Sequence, residues 1–306
     1  MIAAVSLAAC KFGFEERTIG PPPSDADIDA APDAPNCGPA SHGDFATWPM
    51  PNFSAGLPHL ASYTTSTDGK VVHDEVTRLY WMQNAAPTQM SQTDAVAYCE
   101  SLNTGGACDW RLPERVELIS ISDYTRINPS FDATVLSGAG AVYWSATPVR
   151  NDVNRAWYVS FSNGVIERTT KTSTYAVRCV HGGAPPPPAH YTADASIVTD
   201  NGTGLVWERM VDVGSYNHDS AITRCANLPL AGGGWRSPSI NELESIVDVT
   251  QVSPAIQNIT FPSTPSSLFW SRNVQVSDMS QGWTVDFDQG TVARALTTAL
   301  PVRCVR

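Results

Sequence analysis

The side chains that could do chemistry are few in this chain, and their spacing excludes more than it offers. The six histidines (His42, His59, His73, His181, His190, His218) contain no H-E-x-x-H pair, and several fall in linkers or loops. There is no G-x-S-x-G nucleophile elbow, and Gly232-Gly233-Gly234 runs into a tryptophan as a tight turn would, not into a phosphate cradle. Asp25-x-Asp27-x-Asp29 begins like a calcium loop, but Ala30 replaces the glycine at the sixth position and Asn36 the glutamate at the twelfth. Asp286 and Asp288 are expected on the outward face of a strand, opposite Trp283, Val285 and Phe287. A site for calcium or a sugar hydroxyl is one reading of the pair; a solvated strand face is the stronger one. Trp144 and Trp270 would offer rings for a sugar to stack on, against the default of aromatic core packing. No catalytic residues and no obligatory cofactor are expected.

The elements that must position such residues follow from an internal repeat. V-V-H-D-E-V-T-R-L-Y-W, ending at Trp81, matches I-V-T-D-N-G-T-G-L-V-W, ending at Trp207. Further on, A-V-A-Y-C-E-S-L matches A-I-T-R-C-A-N-L, D-W-R-L-P matches G-W-R-S-P, and Y-W-S matches F-W-S. W-Y-V-S-F-S-N-G then matches W-T-V-D-F-D-Q-G, and V-R-C-V closes both copies. So many blocks in one order mean two homologous domains, placed at 48–183 and 190–306 with a proline-rich linker at 184–189.

Within a copy, Ala95, Cys99 and Leu102, like Ala221, Cys225 and Leu228, share one helix face. Pro113 and Pro238 are expected at the first position of a second helix, with Leu118 and Ile121 (Leu243 and Ile246) as its apolar face. Trp157, Val159 and Phe161 alternate with polar residues before an Asn163-Gly164 hairpin turn. The expected class is α+β, helices first and a small antiparallel, hairpin-rich sheet after. Arg111/Arg236, Glu117/Glu242, Asp123/Asp248 and Arg178/Arg303 recur in both copies. They read as an internal ion-pair and capping network, because half-buried charges need partners.

Seven cysteines complete the picture. Leu7-Ala8-Ala9-Cys10 resembles a lipobox, so Cys10 is expected to carry the lipid and residues 1–10 to be a signal segment. No Lys or Arg precedes it, so the true start is expected upstream. The other six allow 15 connectivities. The repeat narrows these to equivalent Cys99–Cys179 and Cys225–Cys304 bridges, leaving Cys37 and Cys108 to staple the preceding segment to the first domain. That segment, 11–47, is proline-rich, acidic and expected to be a disordered tether. With 306 residues and a net charge of −11, the chain is a poor partner for nucleic acid or sulfated polyanions. Much of the charge sits in the tether: residues 1–47 hold 2 basic against 7 acidic side chains.

As a set, T-G-L-V-W, C-x-x-L, W-R-S-P-x-x-x-E-L, F-W-S, W-x-V-x-F-x-x-G and V-R-C-V resemble the Lcl C-terminal domain family over about 48–181 and 191–306, nearly all of the chain expected to be ordered. The resemblance implies a variant of the C-type-lectin fold, in which a helix cysteine pairs with one on the final strand. It also implies surface binding or adhesion. The first copy departs from the pattern where Arg78-Leu79-Tyr80 replaces Gly204-Leu205-Val206, which bears on the geometry of that turn. The expected function is that of a non-enzymatic outer-membrane lipoprotein binding a surface glycan or an envelope protein, held to the membrane by its lipid. The alternatives are an enzyme or accessory of the formylglycine-generating type, for which Cys37 and Cys108 are the sole unmatched cysteine pair, and a self-associating envelope protein.

Overall fold

The computed structural model describes residues 45–183, 189–212, 214–295 and 298–306. Cys10, Cys37, most of the tether and most of the proline-rich linker lie outside them. Alternating apolar residues open the first repeat as a meander, β1 (Tyr63–Thr65), β2 (Val71–Asp74) and β3 (Leu79–Met82). Two short helices follow, α1 (Gln92–Glu100) and α2 (Arg115–Ser120). Then come β4 (Val142–Val149), β5 (Asp152–Ser160), β6 (Ile166–Thr170) and β7 (Val180–Gly182). The second repeat runs the same course through β8 (Tyr191–Ala193), β9 (Ile197–Asp200), β10 (Val206–Glu208), α3 (His218–Ala226) and α4 (Ile240–Glu244). It ends with β11 (Leu268–Gln275), β12 (Asp278–Asp286) and β13 (Thr291–Ala295). The class is α+β, but each repeat opens with strands, not helices.

The second helix begins later than its proline suggests. Glu114 and Ser239 are the N-caps, each inside a capping box closed by Glu117 or Glu242. That box needs a backbone N–H at the cap, and the glutamates accept from Glu114 N at 2.8 Å and Ser239 N at 2.9 Å. Pro113 and Pro238 therefore stand just outside their helices. The departure at Arg78 leaves its turn unchanged. Arg78 (φ 62°) and Gly204 (φ 76°) occupy the same left-handed region, and their N–H groups donate to Asp74 O and Asp200 O at 2.9 and 2.8 Å. An arginine there bears a backbone cost of about 1–2 kcal/mol that glycine does not.

The two repeats do not fold as separate beads. β4, β5 and β6 join β13, β12 and β11 in one antiparallel six-stranded sheet, with Ile166 opposite Val292 at the junction. One hydrophobic core runs through both repeats, including Trp81, Leu118, Phe161, Trp207, Leu243 and Phe287. Buried polar bonds cross the same boundary. Arg115 is paired with Glu244, and Asn241 Nδ2 donates to Ile119 O and Ser122 O at 2.8 and 3.0 Å. Residues at the start of the described chain also reach the second repeat. Ala46 is fully buried and its carbonyl oxygen would lie 2.4 Å from a Cβ at Gly202, while Asn52 Nδ2 donates to Glu242 Oε1 at 3.0 Å. Residues 45–47, expected in the tether, thus pack on the second repeat.

Each repeat adds a satellite core around its own disulfide. Cys99–Cys179 gathers Trp110 and Trp144, and Cys225–Cys304 gathers Trp235 and Trp270. The bridges close separations of 80 and 79 residues, about 4 kcal/mol each in the chain-entropy account. Cys108 is also disulfide-bonded. Among the described residues no helix is long and apolar enough to cross a membrane.

Candidate functional site

The residues expected to contact ligand are occupied by the scaffold. Trp144 and Trp270 are buried in the satellite cores, and their indole N–H groups donate to Met90 O at 3.0 Å and Tyr216 O at 2.8 Å. Neither ring can meet a sugar, so the default of core packing holds and the stacking reading falls. Asp286 ends β12, whereas Asp288 lies beyond it in the hairpin turn and does not share a strand face with it. Asp286 Oδ1 accepts from Asp288 N at 2.9 Å. Asp288 accepts from Ser253 Oγ at 2.7 Å and from Gln289 Nε2 at 2.9 Å, bonds that hold its carboxyl below the usual range. The pair ties a turn to the loop that carries Ser253. Among the described residues no group of three or more His, Cys, Asp or Glu could hold a metal ion.

The recurring charges form the internal network their repetition suggests. Arg111 grips Glu117 through two bonds of 2.6 and 2.5 Å, and Arg236 grips Glu242 at 2.6 and 2.7 Å. Asp123 and Asp248 each accept from the backbone and hydroxyl of a threonine two residues on, capping a loop. Arg178 donates to Met82 O, Gln83 O and Ser137 O. Arg303 donates to Glu208 O, Arg209 O and Thr264 Oγ1. Burial pushes the Arg303 guanidinium down to about 10, still charged at neutral pH.

A different set of residues faces outward together. The four-stranded sheet runs β1-β2-β3-β7, and its register sets Thr64 opposite His73, His73 opposite Tyr80 and Tyr80 opposite His181. Directly opposed residues share a face, so these four form one cross-strand row. The rings stack: His73 on Tyr80 with centroids 4.4 Å apart, Tyr80 on His181 at 4.7 Å, and Trp110 edge-on to His181 at 4.5 Å. Tyr80 is 37% exposed, and the row borders a groove of about 300 Å³ that also includes Thr65, Ser66 and Glu75.

Carboxylates bracket the row at both ends. Glu75 Oε1 accepts from Thr64 Oγ1 at 2.5 Å and meets His73 Nδ1 at 3.0 Å. The Thr64 hydroxyl, then His73, holds the Glu75 carboxyl below its ordinary value. Asp109 Oδ1 lies 3.4 Å from His181 Nδ1. Burial pushes the His181 imidazole down, against the pull of Asp109. Tyr80 stands between the two imidazoles, so they do not converge on one atom as two metal ligands or a base and its orienter would. The arrangement offers hydroxyl, carboxylate and imidazole partners around an apolar ring, which suits binding.

The second repeat keeps the strands and changes the row. Thr192 faces Thr199, Thr199 faces Val206, and Val206 exchanges backbone bonds of 2.9 Å with Arg306. The Arg306 guanidinium covers Trp235 at 4.9 Å and donates to Ala231 O at 2.9 Å and Gly233 O at 3.1 Å. The sequence reading missed the row because its members lie far apart along the chain. The available signal was divergence: His73, Tyr80 and His181 are outward positions where the copies differ in chemistry.

No curated relative matches the chain. The family model described as Lcl C-terminal domain matches it twice, at residues 70–181 and 196–306, covering most of the sequence. The chain belongs to the Lcl C-terminal domain family, with two copies of the domain in tandem.

Proposed function

We propose that this is a non-enzymatic surface-recognition protein in which the first repeat binds a glycan and the second serves as scaffold. The observation that carries the reading is the Thr64–His73–Tyr80–His181 row, which groups an exposed ring with hydrogen-bonding partners beside an open groove. Two disulfides favour an exported, oxidising location, consistent with a lipid anchor at Cys10 in the outer membrane. A bridge from a helix cysteine to the closing segment of each repeat supports a lectin-like fold. The disulfide at Cys108 weighs against a formylglycine-generating cysteine pair, which would need reactive thiols.

The test is a glycan array and cell-wall pull-down with the full oxidised chain, run with calcium and with chelator. Tyr80→Ala and His181→Ala should lose at least tenfold in glycan binding, with or without calcium. Capture of an envelope protein alone would make the chain an assembly module. Calcium-dependent binding that survives both variants would place the site elsewhere.

A further inference from the structure

The six-stranded sheet makes two related clefts between the repeats, one on each side of the β6–β13 junction, and they differ. In the first, Tyr124 packs edge-on against Trp283 at 4.9 Å and donates to Gly164 O at 3.2 Å, leaving a void of only about 10 Å³. The repeat alignment places Val249 where Tyr124 stands and Trp157 where Trp283 stands. With valine in place of tyrosine, the second cleft stays open, at about 240 Å³. That is many times the ~10–15 Å³ a single water needs.

Its lining differs in charge as well. Arg150, Arg155 and Arg168 all border the open cleft. At the first two positions the other repeat has Val276 and Gln281. Arg111, Arg115, Arg224 and Arg236 each hold a carboxylate, whereas none of these three forms an ion pair among the described residues. Arg155 donates to Arg168 O at 2.9 Å, and Arg168 Nη2 donates to Gln289 Oε1 at 2.6 Å, so two of the guanidiniums are held in place by neutral partners. The buried Trp157 indole N–H has no partner. Asp152 also borders the cleft, and Arg168 helps hold nearby Asp288 in its charged form. The positive excess is therefore small and fits one negative charge better than two. Val149, Val249 and Val252 supply an apolar wall for a carbon skeleton.

We infer that the open inter-repeat cleft binds the carboxylate of a small organic acid. The arginine forks would take its two oxygens and the valines its carbon frame. The site is separate from the aromatic row and stands or falls without it.

Titration calorimetry on the full chain with glucuronate, N-acetylalanine, glucose and inorganic phosphate tests this. At least one of the two carboxylates should bind, and which one does identifies the source of the acid. Glucose should not bind, and phosphate should bind at least tenfold more weakly. Arg155→Gln should cost at least tenfold. Val249→Tyr, which changes no charge and rebuilds the packing of the closed cleft, should abolish binding without lowering the thermal midpoint. Should Val249→Tyr unfold the chain, Arg155→Gln and the phosphate comparison still decide. Silence from both carboxylates, phosphate binding as tight as theirs, or full affinity in a folded Val249→Tyr or Arg155→Gln variant would overturn the proposal.

Discussion

The first and second repeats share a skeleton and part company at the surface. Arg111–Glu117 and Arg236–Glu242 hold the same helix start, and Arg178 and Arg303 bind carbonyls at equivalent places. Across the outward row, by contrast, Thr-His-Tyr-His in the first repeat becomes Thr-Thr-Val-Arg in the second. Charges that satisfy buried backbone are expensive to change singly, since each loss strands a partner. Outward side chains carry no such constraint and are free to specialise. The comparison assigns stability to what the repeats share and recognition to what they do not.

The largest expected effect comes from the bond that joins them. Arg115→Met strands the buried Glu244 carboxylate and should cost about 3–5 kcal/mol in denaturant unfolding. Arg115→Met combined with Glu244→Leu should recover most of that, since removing both charges leaves neither unpaired. Both repeats should unfold together, because they share one sheet and one core; two separated transitions would refute the fused architecture. Removing Cys99–Cys179 or Cys225–Cys304 should cost a similar amount in each repeat, about 2–5 kcal/mol, and a large inequality would mean that one satellite core matters more.

Acid provides a milder probe. Burial lowers the pKa of His181, His190 and His218 from the model-peptide value of 6.5. The unfolded chain then takes up their protons first. The stability they contribute is present above about pH 6.5 and declines as pH falls below it. Imidazole resonances of these three histidines that titrate above pH 6.5 in the folded protein would contradict the burial account. The smallest effect tests the shared turn: Arg78→Gly should stabilise by about 0.5–1 kcal/mol, the relief of left-handed strain less the added freedom of the unfolded chain. Gly204→Arg should cost a comparable amount.

Much of the fold was legible because its signals are local or repeated. The matched blocks located both copies, and cysteines at equivalent places in each defined the bridges. The recurring Arg, Glu and Asp residues announced a scaffold network by recurring. The junction was not legible, since nothing in Ile166 or Val292 distinguishes an edge that pairs with the other repeat from one that meets solvent. Nor was the row, because only strand register brings residues from β1, β2, β3 and β7 side by side. For Trp144 and Trp270 the default of core packing holds, but residue type alone leaves a sugar-stacking ring open, because a tryptophan's burial cannot be read from its type. Asp288 was set on a strand that ends two residues before it, at the hairpin turn it helps to hold.

The central claim is that recognition resides in the outward row of the first repeat. Its most direct test is the exchange His73→Thr, Tyr80→Val and His181→Arg, which writes the second repeat's row into the first. Glycan-array binding and thermal unfolding would be measured on the exchanged and unaltered chains. The account predicts at least a tenfold loss of binding with the cooperative unfolding transition retained. Unchanged binding by a folded exchange variant would contradict it.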